Sequence, residues 1–177
     1  MSFKEQLLKE VEGSELNFEC LTKFIEDENI PVFNAALAQG INGLATKEAI
    51  YIDVLRTIRN LGIDKLFFVI AHEIGHYKRN INLTQEEVLD NIVKNDYRAY
   101  VNYVMNEEIF ADRYGRMVFR LLNGKNFPAD RTQQLEKESY RHVYSKRLEG
   151  TYTYIKDRIK TQDDYQHELK NFVTHVR

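Results

Sequence analysis

The segment from Lys65 to Arg79 constrains what the rest of the chain can do. Leu66, Phe67, Phe68, Val69, Ile70, Ala71 and Ile74 point in every direction around a helix drawn through it. A helix that is apolar all round has to be buried, so the remaining chain must enclose it. The apolar run Leu66 to Ala71 is far shorter than the ~20 residues needed to span a bilayer, which makes this a core helix. A chain of 177 residues can bury roughly 70% of its unfolded surface, enough for one domain built around that helix. With only 8 Gly and 2 Pro, turn formers are scarce. A strand-rich sandwich or barrel is therefore disfavoured and long helices are favoured. The fold class expected is α+β and mainly helical, with 1–177 as a single domain. Its core spans about 30–124, and 129–177 form a helical C-terminal extension.

Local signals place the other elements. Ser2-Phe3-Lys4-Glu5 has the form of a capping box, and Gly13 is positioned to end the helix that it starts. A second helix is expected over Glu15 to Glu28, with Leu16, Cys20 and Phe24 near a 3.6-residue period. Cys20 reads as a small buried residue. Ile30 precedes Pro31 and so avoids helical angles. Asn42-Gly43 is a hairpin-turn signal, and Ala49 to Asp53 is a short β-type run. Residues 31 to 53 therefore form the expected small sheet. A short helix from Val54 to Asn60 follows. Asp64 is the expected N-cap of the buried helix. Further helices are expected from about Gln85, from Asp96 to Leu122 with Gly124 as the stop, and from Asp130 to Leu148. Residues 151 to 177 read as helical and polar.

Inside the buried helix lies His72-Glu73-Ile74-Gly75-His76. Residues four apart sit one turn apart on one helix face, so both imidazoles can reach one ion. Zinc accepts imidazole nitrogen at ~2.0–2.1 Å. Glu73 leaves at a neighbouring angle, beside the place where a water would be activated. Two histidines and a glutamate in an apolar segment cost several kcal/mol (~2–7 for each unpartnered polar group) unless partnered, so partners have to exist. Ala71 and Gly75, also four apart, leave room for a second helix to come close.

Glu107-Glu108-Ile109-Phe110-Ala111-Asp112 supplies the partners. A hydrolytic zinc site takes three protein ligands and keeps one position open. Glu108 is the third ligand in this reading. Asp112, one turn on, accepts the outer ring N–H of a ligand histidine. Glu107 competes for the same role, but Asp112 would then be five residues away and off its face. One Zn²⁺ per chain is expected.

His72-Glu73-Ile74-Gly75-His76 followed by Glu108-Ile109-Phe110-Ala111-Asp112 resembles the gluzincin branch of zinc metallopeptidases. The E-x-x-A-D element is similar to that of the membrane-embedded CAAX-processing peptidases. The size of this chain is nearer the soluble minigluzincins and ImmA/IrrE-like peptidases. The resemblance covers about Ala49 to Phe119. It implies a zincin-like fold, with a sheet over the active-site helix, a glutamate helix beneath it and peptide-bond hydrolysis with Glu73 as general base. It also implies an extended substrate along an edge strand, expected within Phe33 to Thr46. A second stabiliser of the developing oxyanion is needed. The candidates are His142 first, then Arg141, Tyr140, Tyr144, Tyr97, Tyr100 and Tyr103.

Charge and composition set the partners. With 25 basic and 27 acidic residues, the net charge is −2. No basic field is present to hold a nucleic-acid backbone, so nucleic acid is not an expected partner; a peptide or protein substrate is what the resemblance implies. No membrane span and no signal peptide are read in the sequence, and a cytoplasmic location is expected. The single cysteine excludes an intramolecular disulfide. Two rival functions fit less well. A zinc-stabilised regulatory or binding module without turnover has no use for Glu73. The other rival is a metal-free helical interaction domain, which metal content separates from the zinc reading.

Overall fold

The computed structural model describes residues 2–81 and 97–124, together with 130, 133, 134, 153 and 164. Among these residues it is mainly helical, with five helices and one three-stranded sheet. The helices expected from Gln85, from Asp130 to Leu148 and over 151 to 177 lie outside the described residues or rest on single positions.

Helix α1 spans Phe3–Glu10. The Ser2 amide donates to Glu5 Oε2 at 2.7 Å and the Glu5 amide donates to Ser2 Oγ at 3.2 Å, completing the capping box. The Ser2 backbone and then its hydroxyl hold the Glu5 carboxyl below the usual carboxylate range. Helix α2 spans Phe18–Asp27, and Asn17 is its N-cap, accepting from the Cys20 amide. It buries Phe18, Leu21, Thr22 and Ile25, a stripe at i, i+3, i+4 and i+7. Cys20 lies off that stripe and is exposed, contrary to the sequence expectation. Asn29 ends the helix at φ 51°. The Ile30 amide reaches back to the Ile25 carbonyl and the Asn29 amide to Glu26. This is a Schellman closure, with Asn in the left-handed position that glycine usually fills.

The strands are β1 Val32–Asn34, β2 Gly43–Ala45 and β3 Ile50–Ile52. β3 is central, parallel to β1 and antiparallel to β2, so β2 is an edge strand. Ile50 and Ile52 turn into the core, while Tyr51 shares the opposite face with Phe33 and Leu44. Asn42-Gly43 is not the hairpin turn. The β2–β3 connection runs through Thr46 to Ala49, where the Thr46 hydroxyl accepts from the Glu48 and Ala49 amides. Gly43 is instead the first residue of β2, and its backbone lies outside the left-handed region.

Helix α3 spans Val54–Leu61. Asp53 caps it by accepting from the Arg56 amide at 3.2 Å, and its other oxygen accepts from the Leu37 amide. Arg56 pairs with Asp53 and donates to the Leu37 and Ala38 carbonyls. The loop after β1 is thereby tied to the start of α3. Gly62, at φ 93°, both ends α3 and begins α4, Ile63–Asn80. Asp64 is therefore not the N-cap. It sits in the first turn, where a carboxylate still complements the helix dipole.

Helix α5 spans Tyr97–Asn123 and runs antiparallel to α4. Phe68 stacks on Phe119 at 4.5 Å between centroids, and Phe67 meets Phe119 and Phe18 edge to face. Near the middle the helices touch almost backbone to backbone. A methyl group on Gly75 would lie 2.7 Å from Ala111 Cα, and one on Gly115 would lie 3.2 Å from the His72 amide nitrogen. Buried Asn123 closes the far end, accepting from the Asn17 amide and donating to the Phe119 carbonyl.

This packing yields a prediction. Gly75→Ala gains up to ~1 kcal/mol of helix propensity, yet it should lose stability, because the backbone it meets must yield at ~1–3 kcal/mol. A lowered thermal midpoint is expected. An unchanged or raised midpoint would contradict the close helix contact.

Candidate metal centre

The antiparallel pairing of α4 and α5 decides which side chains meet. His72 lies opposite Asp112, and His76 lies opposite Glu108. His72 Nε2 is 3.5 Å from Glu108 Oε2, and His76 Nε2 is 3.4 Å from Glu108 Oε1. The ligand atoms of His72, His76 and Glu108 all lie within 4.8 Å of one another, a group that could hold a metal ion. The two rings stand perpendicular, 4.5 Å apart between centroids.

The separations fit a shared ion better than direct hydrogen bonds. An N–H···O bond prefers ~2.9–3.0 Å. Two ligands each ~2.0–2.1 Å from a tetrahedral ion are roughly 3.3–3.4 Å apart. The observed 3.4 and 3.5 Å, each to a different Glu108 oxygen, lie nearer that second figure. Two imidazole nitrogens and one carboxylate are also a donor set that suits zinc.

His72 is held from behind. Its Nδ1 lies 2.9 Å from Asp112 Oδ1, both side chains being buried. In this geometry Asp112 Oδ1 is placed to accept a proton carried on Nδ1, and Nε2 is the ring nitrogen that faces Glu108. That second partner fixes both the tautomer and the ring orientation.

Glu107, the competing ligand, is engaged elsewhere. Arg79 Nε donates to Glu107 Oε1, and the Arg79 guanidinium lies over the Phe110 ring at 4.9 Å. Arg79 sits one turn beyond His76 and draws Glu107 away from the ligand group. Tyr103 has Glu107 and Arg79 as its charged neighbours. Burial, with Glu107 adding to it, pushes its phenol up to about 12. Tyr103 thus stays protonated across the physiological range.

Glu73 is buried, and its side chain packs against Gly43 of β2. The edge strand therefore passes over the helix at the residue after the first histidine. Tyr97 and Tyr100 fall on the first turn of α5. His142, Arg141, Tyr140 and Tyr144 lie outside the described residues. Sequence reasoning took Gly43 for a turn residue within the expected substrate edge, and it did not single out Arg79 or Gly115 as parts of the site. Gly115 had a signal, because Ala111 and Gly115 repeat on α5 the small-residue spacing of Ala71 and Gly75.

Comparison with protein-family models, with curated proteins and with solved structures found no match. Among the described residues, no helix is long and apolar enough to cross a membrane.

The Asp112 contact can be tested on metal binding alone. Asp112→Asn keeps the shape but weakens the acceptor for His72, and an affinity lower by about 10–100-fold is expected. Competitive chelator titration measures it. Unchanged affinity would mean that Asp112 does not support a ligand.

Proposed function

We propose that the protein is a zinc-dependent peptidase, with His72, His76 and Glu108 as the ligands of one zinc ion and Glu73 as general base. The observation that supports it most is the convergence of the two imidazoles and Glu108 at ligand spacing, with buried Glu73 next in sequence to a ligand.

When bound, zinc supplies a Lewis acid that polarises a carbonyl and brings the pKa of water toward ~7. The residues of the chain do the rest. Two neutral imidazoles and one carboxylate leave the loaded centre with a net charge of about +1, so charge on a reacting oxygen is stabilised there. Glu73 accepts the proton of the attacking water and returns it to the departing amine, which would otherwise be too poor a leaving group. Asp112 keeps His72 in the ligating tautomer. Arg79 neutralises Glu107, so that a second carboxylate does not cancel the remaining positive charge. A zinc-stabilised binding module needs the ligands alone and leaves buried Glu73 without a purpose.

The decisive comparison is Glu73→Gln against His76→Ala in a peptide-library cleavage assay with metal analysis. Wild type should carry one zinc per chain and cleave. Glu73→Gln should keep the zinc and lose at least ~10²–10⁴-fold in turnover. His76→Ala should lose the zinc and some thermal stability, because the metal binds the folded site. Near-normal turnover in Glu73→Gln would remove the general base from the mechanism. Zinc retained in full by His76→Ala would remove the ligand assignment.

A further inference from the structure

The glycine at position 43 has no conformational reason to be there. Among the described residues the positive-φ glycines are Gly13, Gly40 and Gly62, and Gly43 is not one of them. Its backbone is ordinary strand, pairing with Ile52 of β3. Glycine inside a strand costs stability and packs nothing, and it commonly marks a close approach. Here the approaching group is Glu73. A methyl group on Gly43 would lie 2.6 Å from Glu73 Cγ, 3.0 Å from Cδ and 3.0 Å from Oε1.

Neither partner can easily step aside. β2 is pinned on both sides of Gly43. The Asp53 amide donates to the Asn42 carbonyl at 3.0 Å, and Ala45 pairs with Ile50. Glu73 is buried and belongs to α4, whose neighbouring turns are fixed by core packing. The contact falls on the middle of the Glu73 side chain as well as on its carboxylate. Relief therefore requires rotating the whole side chain, which carries the carboxylate with it.

From this contact we infer that Gly43 is a positioning residue for Glu73, the absent side chain on β2 defining the slot in which the base is held. This role rests on the peptidase reading of Glu73. A reacting group displaced by ~1 Å can lose up to about 10²-fold in rate, so the slot bears on turnover far more than on binding.

The test combines a structure with a kinetic cycle on the full-length protein. In a crystal structure of Gly43→Ala the Glu73 carboxylate should be displaced from its wild-type position. An undisplaced carboxylate overturns the inference. With a library-derived peptide, Gly43→Ala should lower kcat by roughly 10–100-fold, with KM and zinc content unchanged. Glu73→Asp removes one methylene and frees room. Its cost in kcat should be smaller in the Gly43→Ala background than in wild type. Wild-type kcat in Gly43→Ala, or losses that simply multiply, overturn the inference. Should Gly43→Ala fail to fold, adding Glu73→Ala should restore folding, and a double variant that stays unfolded also overturns it. If wild type cleaves no peptide, the peptidase reading falls, while the crystal structure still decides whether Gly43 sets the Glu73 side chain.

Discussion

At Gly75, helix α4 meets α5 with so little between them that one methyl group would come within 2.7 Å of Ala111 Cα. Gly115 makes the reciprocal notch against the His72 backbone. This mutual approach sets the distance between the two helices that carry the candidate ligands. His72 and His76 project from α4, and Glu108 and Asp112 project from α5. Short polar side chains on separate helices meet only when the axes are close. Were the helices held apart by ordinary large residues, a glutamate could still reach an imidazole. The shorter Asp112 could not also sit 2.9 Å from His72. The small residues therefore set which polar side chains of the two helices can meet.

The same packing accounts for polar groups inside an apolar helix. Buried polar groups are tolerated when each has a partner. His72 has Asp112 behind it and Glu108 before it. Glu107 has Arg79, which also covers Phe110. Glu73 packs against the edge strand at Gly43, a steric contact that fixes its position without supplying a hydrogen bond. Below this layer the Phe18, Phe67, Phe68 and Phe119 rings fill the core. The loop after β1 is fastened to α3 by Asp53 and Arg56. A rigid apolar floor and a pinned strand hold the polar layer in one arrangement.

Much of this was legible in the sequence because it is helical and local. The spacing of His72 to His76 and of Glu108 to Asp112 follows from 3.6 residues per turn. The apolar surround of Leu66 to Ile74 announced a buried helix. The mainly helical α+β class and a small sheet within residues 31 to 53 followed from scarce turn formers and one proline. Other features were not legible because they depend on contacts between distant segments. Asn42-Gly43 looks like a turn, since glycine serves both positive φ and close approach, and sequence does not say which. Asp64 looks like a cap, but Gly62 lets α4 begin earlier. Cys20 sits at plausible helical spacing, yet the stripe that packs is Phe18, Leu21, Thr22 and Ile25. The choice between Glu107 and Glu108 rested on Asp112 alone until Arg79 was seen to engage Glu107.

In the proposed reading, α4 and α5 together build one metal centre from His72, His76 and Glu108. Anomalous diffraction at the zinc absorption edge, on crystals of the wild-type protein grown with stoichiometric zinc, tests it most directly. A single strong peak is expected, bounded by the two histidine Nε2 atoms and a Glu108 oxygen, each ~2.0–2.2 Å away. A peak ligated by Glu107 in place of Glu108, or no peak between the two helices, would contradict it.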